Sequence, residues 1–327
     1  VTRPLSVAVA LEGYGWHPEA WRHTPDRASH LSGRHWVGMV EMAERGVLDF
    51  VTFDDGLTPQ RRRRPGIEPR WLAGRPDAVL VAARVAPATS HIGLIPVATV
   101  THTDHLRLSR DIAVLDSVSD GRAGWQPRVT GTAAEAELFG SRAGGGADLF
   151  AQAVDAVEAV RRFWDSPSVG PRPPQGQPVV AALAHAKPVY EFAARSADLV
   201  FVTPKDDQQV LAIRGEVQDS GGADLRLYAD VFVTSNGVLD DRSDAYAFDG
   251  TATELVDLVL RWQRLGIDGV RLRPAVTAID LPFIVDQVMP ELRAAAGVRT
   301  HYVDGETLRQ RLGLPVADDI HLKAVPR

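Results

Sequence analysis

The 327-residue chain contains no cysteine. Disulfides, thiolate metal centres and a cysteine nucleophile are thereby excluded. A disulfide-free chain fits a reducing, cytoplasmic compartment. Lysine is scarce as well, confined to Lys187, Lys205 and Lys323, while arginine is plentiful. That bias reads as a property of the coding sequence, not of a function. No uninterrupted apolar stretch approaches the ~20 residues of a membrane span. Residues 1–11 hold one arginine and an apolar run that contains Pro4 and Ser6, a poor secretory signal that reads better as a first strand. Neither sign of charge dominates. The formal net charge is −6, too mild to call for nucleic acid or an anionic membrane as partner. Also missing are a Gly-x-Gly-x-x-Gly turn after a strand, a P-loop and a Gly-x-Ser-x-Gly elbow. A Rossmann site, nucleoside triphosphate hydrolysis and a hydrolase triad are left without support.

What is present is ordinary globular composition, 45% hydrophobic and 24% charged, with ample length for a large core. Apolar runs at residues 5–11, 48–53, 91–97, 121–127, 178–183, 199–203, 227–234 and 268–272 read as strands. Helical spacing recurs between them, as in Trp36, Met39, Val40, Ala43 and Val47, and in Leu255, Leu258, Val259, Trp262 and Leu265. Alternating strands and helices predict an α/β fold of parallel strands with crossovers. Eight such units favour closure into a single (β/α)8 barrel of TIM type. No internal repeat and no linker divides the chain, so residues 1–327 are expected to form one domain, with 296–327 as a C-terminal extension packed on the barrel. In such a barrel, function belongs on the loops after the strands. Those loops carry His17, Asp54 with Asp55, and residues 99–105, 126–130, 184–187, 203–205 and 234–236.

Each candidate has a plain structural alternative. An imidazole at His17 titrates near neutrality and suits acid–base work, or it packs against Trp16 or Trp21. Adjacent strand residues point to opposite faces, so of Asp54 and Asp55 one faces a site and the other braces a loop. His102 and His105 are separated by two residues, without the carboxylate-plus-histidine pattern of a zinc site, so no metal is expected. The run Arg61–Arg64 reads as a solvated face, or as a contact for an anionic substrate or a partner chain.

Several stretches, taken together, resemble the luciferase-like, flavin-dependent monooxygenases. They are HPEAWRH (17–23), MAERGVLDFVTFDDGL (42–57), VATVTHTDHLRLSRDIAVLDSVSDGRAGW (97–125), FWDS (163–166), FAARSADLVFV (192–202) and RTHYVDGETLRQRLGLP (299–315). The nearest subgroup is that of the nitrilotriacetate and dibenzothiophene-sulfone monooxygenases. The resemblance implies a TIM-type barrel and a homodimer. It implies reduced FMN as a co-substrate from a separate flavin reductase, and dioxygen as the oxidant of a small organic substrate. Such a site must exclude water, and the cofactor carries the oxygen chemistry.

By the same resemblance, His17 stands where the family places a polar active-site residue. Thr99 stands at the place of a Ser/Thr facing the flavin ring, and His102 aligns with a tyrosine beside it. The chain also departs from the family. Two insertions are cut back, at residues 166–178 and 236–250. Gln126 replaces an asparagine, Phe150 a tyrosine, and Asp54 a small residue. Ala184, His185 and Ala186 occupy the place of a Gly-Ser-Ser that holds the FMN phosphate. His185 and Lys187 can meet an anion there by charge instead. These departures leave two alternatives open: hydride transfer with the deazaflavin F420, and a non-catalytic barrel with an eroded phosphate site.

Overall fold

Nine strands form one all-parallel sheet, β1 (Ser6–Leu11), β2 (Phe50–Phe53), β3 (Gly93–Thr99), β4 (Gly124–Arg128), β5 (Val179–Leu183), β6 (Leu199–Val202), β7 (Arg226–Thr234), β8 (Tyr246–Asp249) and β9 (Gly269–Pro274). The computed structural model describes residues 4–24, 30–56, 74–101, 103–139, 147–166, 170 and 172–317. His102, the Arg61–Arg64 run and most of the 56–75 loop lie outside the described residues. The sheet closes: β1 pairs with both β2 and β9, and β7 with both β6 and β9. The result is an eight-stranded parallel barrel ringed by helices. All eight expected runs became its strands. β8 was not expected. It pairs with residues 231–234 of β7, beyond the 226–229 stretch that β6 occupies, and so extends the same edge upward.

Alternation along each strand sorts the core into two layers. Val7, Val9, Leu11, Val51 and Phe53 point outward into the cluster beneath the helices. Ala8, Phe50, Ile95, Val179, Ala181, Leu199, Phe201 and Tyr228 point into the barrel and fill its lower half. The rings of Phe50, Phe201 and Tyr228 meet pairwise at centroid distances of 5.5 to 6.2 Å. The helices begin on side-chain caps. Asp77, Asp104 and Asp206 each accept from a backbone N–H in the first turn, and Thr251 forms a capping box with Glu254. The apolar stripe predicted around Trp262 is buried on the helix Ala252–Arg264. No helix among the described residues is long and apolar enough to cross a membrane.

The C-terminal segment plugs the N-terminal end of the barrel. Leu308 and Leu312 join the interior cluster. Tyr302 donates to Leu48 O at 2.6 Å, Arg309 forks onto Asp198 Oδ1 at 2.9 and 2.8 Å, and Arg311 Nη1 donates to Asp49 O and His91 O. Tyr228 lies so close to β9 that a Cβ on Gly269 would sit 2.4 Å from its ring and 2.8 Å from Ser6 O. Overpacking of this kind costs roughly 1–3 kcal/mol. Gly269→Ala is therefore expected to lower the denaturation midpoint in urea. An unchanged midpoint would mean that the ring and strand move aside freely.

Candidate active site

Above its apolar plug the barrel interior turns polar. Thr52, Gln126, Asp230 and Arg271 are all buried and bonded to one another across four strands. Arg271 forks onto Asp230, Nε to Oδ1 at 2.7 Å and Nη2 to Oδ2 at 2.6 Å. Its Nη1 reaches Gln126 Oε1 at 3.0 Å and Thr52 Oγ1 at 3.3 Å. Its guanidinium lies 3.7 Å from the centroid of the Phe201 ring, so the charge rests on the apolar plug. One step higher, Arg273 donates to the same Asp230 and, through Nη1, to Asp244 Oδ1 at 2.6 Å. Its other face covers Trp16 at 4.4 Å. Burial favours the neutral form of Arg273, but Asp230 and Asp244 outweigh it and hold the group charged. A buried lattice in which every charge has a partner is rigid. It fixes the floor of the mouth.

The rim is built by the ends of β1 to β4. Glu12 and Asp54 follow β1 and β2 and share Arg75, whose Nε meets Glu12 Oε1 at 2.7 Å and whose Nη1 meets Asp54 Oδ2 at 3.1 Å. These residues line a cavity of about 30 Å³ together with His17, His30 and Trp36. Arg128 ends β4 and pairs with Glu135 at 2.9 Å, while its Nη1 is buried without a partner among the described residues. Thr130 hydroxyl also donates to Glu135. Asp55 turns the other way and accepts from Ala78 N at 3.2 Å, bracing the start of the next helix.

The residues singled out in the sequence fall in several places. His17 is half-buried on the rim. Its Nδ1 accepts from Glu19 N at 3.1 Å, which leaves the proton of the neutral ring on Nε2. Asp54 faces the mouth. His102 lies outside the described residues. Thr99 is half-buried at the end of β3, in register with Arg128. Gln126 gives its oxygen to Arg271, and its Nε2 donates to none of the described residues. Ala184 is buried in the outer layer and does not look into the mouth. Its N–H donates to Phe201 O, joining β5 to β6. His185 is bonded to Thr203 Oγ1 at 3.0 Å and lies 3.7 Å from Asp244. Burial pulls its pKa down, against the opposing pull of Asp244. Ala186 precedes the helix Lys187–Ser196 and offers no side-chain cap, and Lys187 is exposed on its first turn. Phe150 packs on Phe192 at 6.2 Å.

Sequence reasoning missed Glu12, Arg75, Asp230, Arg271 and Arg273. One signal was available. Arg271 and Arg273 alternate within an otherwise apolar strand, as Asp230 does in β7, and a period of two places such charges on one face.

The family model described as luciferase-like monooxygenase matches residues 16–247. Nitrilotriacetate monooxygenase component A of Aminobacter aminovorans is 30% identical over 261 residues, 64% of this chain and 55% of that protein. The match thus spans little more than half of that relative's length. N-acetyl-S-(2-succino)cysteine monooxygenase of Bacillus subtilis is 23% identical, with 95% of this chain and 97% of that one aligned. The solved structure of EDTA monooxygenase from Chelativorans sp. BNC1 superposes with a TM-score of 0.81 at 19% identity, covering 96% of this chain and 99% of that one. A barrel of this topology, matched by the family model over most of its length, belongs to the luciferase-like monooxygenase family.

Proposed function

We propose that this barrel is the oxygenating component of a two-component, FMN-dependent monooxygenase. It would work in the cytoplasm as a homodimer, take reduced FMN from a separate reductase, and oxidise a small organic molecule with dioxygen. The observation that carries the reading is the polar mouth. At the end of the barrel where this fold supports catalysis, a fixed array of hydrogen-bonding groups sits on an apolar plug, in a chain of the monooxygenase family.

The donor set suits the two ends of a flavin nucleotide. For the phosphate, the helix Lys187–Ser196 begins on Ala186 without a side-chain cap. Pro188 has no N–H and Val189 N donates to Ala186 O, so of the first turn the Lys187 N–H stays available to an anion. Lys187 adds charge at that turn, and His185, which burial holds toward its neutral form, adds a ring nitrogen where the family uses hydroxyls. For the ring, Gln126 Nε2 of β4 and the Thr99 hydroxyl at the end of β3 are polar groups beside Arg128. Reduced flavin supplies the electrons with which dioxygen is activated. The protein's part is to hold its own groups still. Arg271 and Asp230 lock Gln126 in one orientation, and His17 presents an N–H from the rim.

Anaerobic titration with reduced FMN, oxidised FMN and F420 tests the proposal. Reduced FMN is expected to bind. His185→Ala is expected to weaken FMN by about tenfold, since a hydrogen bond to a charged group contributes roughly 1.5–3 kcal/mol and 1.4 kcal/mol is tenfold in affinity. Riboflavin, which lacks the phosphate, should be unaffected. An equal loss for both ligands would remove His185 from the phosphate site. Binding of F420 alone would replace oxygenation with hydride transfer, and binding of none of them would leave a barrel without flavin chemistry.

A further inference from the structure

The parallel register sets Leu11 of β1 beside Phe53 of β2. The next residues, Glu12 and Asp54, therefore leave neighbouring strands side by side, and both face inward. One guanidinium serves the two carboxyls, Arg75, through the contacts at 2.7 and 3.1 Å. Glu12 is 7% exposed. Its Oε2 is buried with no hydrogen-bond partner among the described residues, and the other carboxyl on the same guanidinium is that of Asp54. Ionised carboxylates only accept. Two of them on one guanidinium leave a net negative charge in the cavity, which a proton on one carboxyl removes.

We propose that Glu12 and Asp54, bridged by Arg75, hold a single proton between them at the barrel mouth, and that Glu12 bears it and delivers it to a ligand bound there. The delivery step rests on the reading of the mouth as an active site; the shared proton does not. The electrostatics agree with the geometry. Burial drives Glu12 well above the usual carboxyl range. Burial also pushes Asp54 upward, but the Arg75 charge and the hydrogen bond from Glu12 outweigh it and keep Asp54 ionised. Among the described residues, the other charged or titratable groups facing the pair are Arg128 from β4, Arg271 from β9, and Tyr14, His17 and His30 around the cavity. Asp55 acts on it through Arg75. In delivery, the Glu12 O–H bond breaks and the proton bonds to a basic oxygen or nitrogen of the ligand. Glu12 is left a carboxylate against Arg75. No electrons are transferred, and solvent returns the proton.

Infrared spectroscopy of the unliganded protein, labelled with ¹³C in its glutamates, reads the proton directly. At neutral pH we expect a carboxylic-acid stretch that moves with the label and is lost in Glu12→Gln. It should be lost in Asp54→Asn too, because Glu12 then ionises against Arg75 alone. A wild-type protein without this band, or a band that persists in Glu12→Gln, overturns the proposal. Stability supplies a second measurement. A carboxyl held protonated by the fold stabilises it fully at acid pH, and that stabilisation fades as pH climbs through the raised folded value. The wild type should thus lose several degrees of Tm relative to Glu12→Gln as pH rises from the ordinary carboxyl range. A difference independent of pH counts against the pair.

Turnover of Glu12→Gln should fall about 10²–10⁴-fold with reduced-flavin affinity unchanged; undiminished turnover overturns delivery. Flavin that fails to bind a protein showing the band removes the cofactor reading and the delivery step, and the shared proton stands. Flavin that binds a protein lacking the band removes the pair alone.

Discussion

Asp230→Ala is expected to lower the free energy of unfolding by about 3–5 kcal/mol, the usual cost of stripping one partner from a buried ion pair. Asp230 is fully buried and receives both Arg271 and Arg273. Without it, Arg273 keeps Asp244, but Arg271 keeps only the neutral oxygens of Gln126 and Thr52 and the face of Phe201. A guanidinium cannot shed its proton to escape. It must draw in water or swing upward, and either move releases Gln126. The variant should therefore lose both its urea midpoint and its reduced-flavin affinity. Asp230→Asn keeps the shape and some hydrogen bonds, so it should fall between the wild type and alanine. A loss below about 1 kcal/mol in Asp230→Ala would show that water already reaches Arg271, against the low exposure of its side chain.

Arg122→Met should be comparably damaging for a different reason. Arg122 is buried, and it serves as a backbone staple. Nε donates to Ser119 O at 2.7 Å, Nη1 to Ile92 O at 2.9 Å and Thr89 Oγ1 at 3.0 Å, and Nη2 to Ala86 O at 2.9 Å and Thr89 O at 3.0 Å. It ties the turn before β4 to the end of the preceding helix and the start of β3. Methionine nearly fills the space but donates nothing. Four carbonyls then lose a donor. Ala86 O keeps the Thr89 N–H, and each of the other three, left unsatisfied, costs about 1–3 kcal/mol. The sum reaches about 3 kcal/mol or more before relaxation. Arg122→Lys should recover part of it, since an ammonium has three donors but lacks the planar fork. Equal midpoints for Met and Lys would mean that packing, not hydrogen bonding, explains Arg122. This staple gives a physical reason for the DGRAGW stretch that marked the family in the sequence: the arginine fixes where β4 begins, and β4 carries Gln126 and Arg128.

The barrel strands were legible because each is a bounded apolar run, and the helices because of their stripes. β8 was not, since its four residues follow a polar segment and only Phe248 is buried. The site was legible in part. Asp54 announced itself by lying just past an apolar strand, and adjacent aspartates had to diverge. Its partners Glu12 and Arg75 come from loops before and after it in the chain, and no local pattern links them. Arg271 and Arg273 carried the right alternation. Yet a lone strand does not reveal whether its inner face meets oil or ions; Asp230, from β7, settles that, and only the closed barrel brings the three together.

The short β8 has a consequence for how this barrel changes over evolutionary time. The segment after Thr234 leaves the top of β7 and returns as β8 against the same strand, about 4.8 Å away. Lys205 Nζ clasps the returning limb at Ser243 O and Ala245 O. Both feet of the excursion thus stand on one fixed strand, at Thr234 and opposite Val231, whatever lies between them. Such a parallel crossover lets a lineage lengthen, trim or exchange the roof over the mouth while the eight staves beneath keep their register. A transplanted segment would need to match only the two feet.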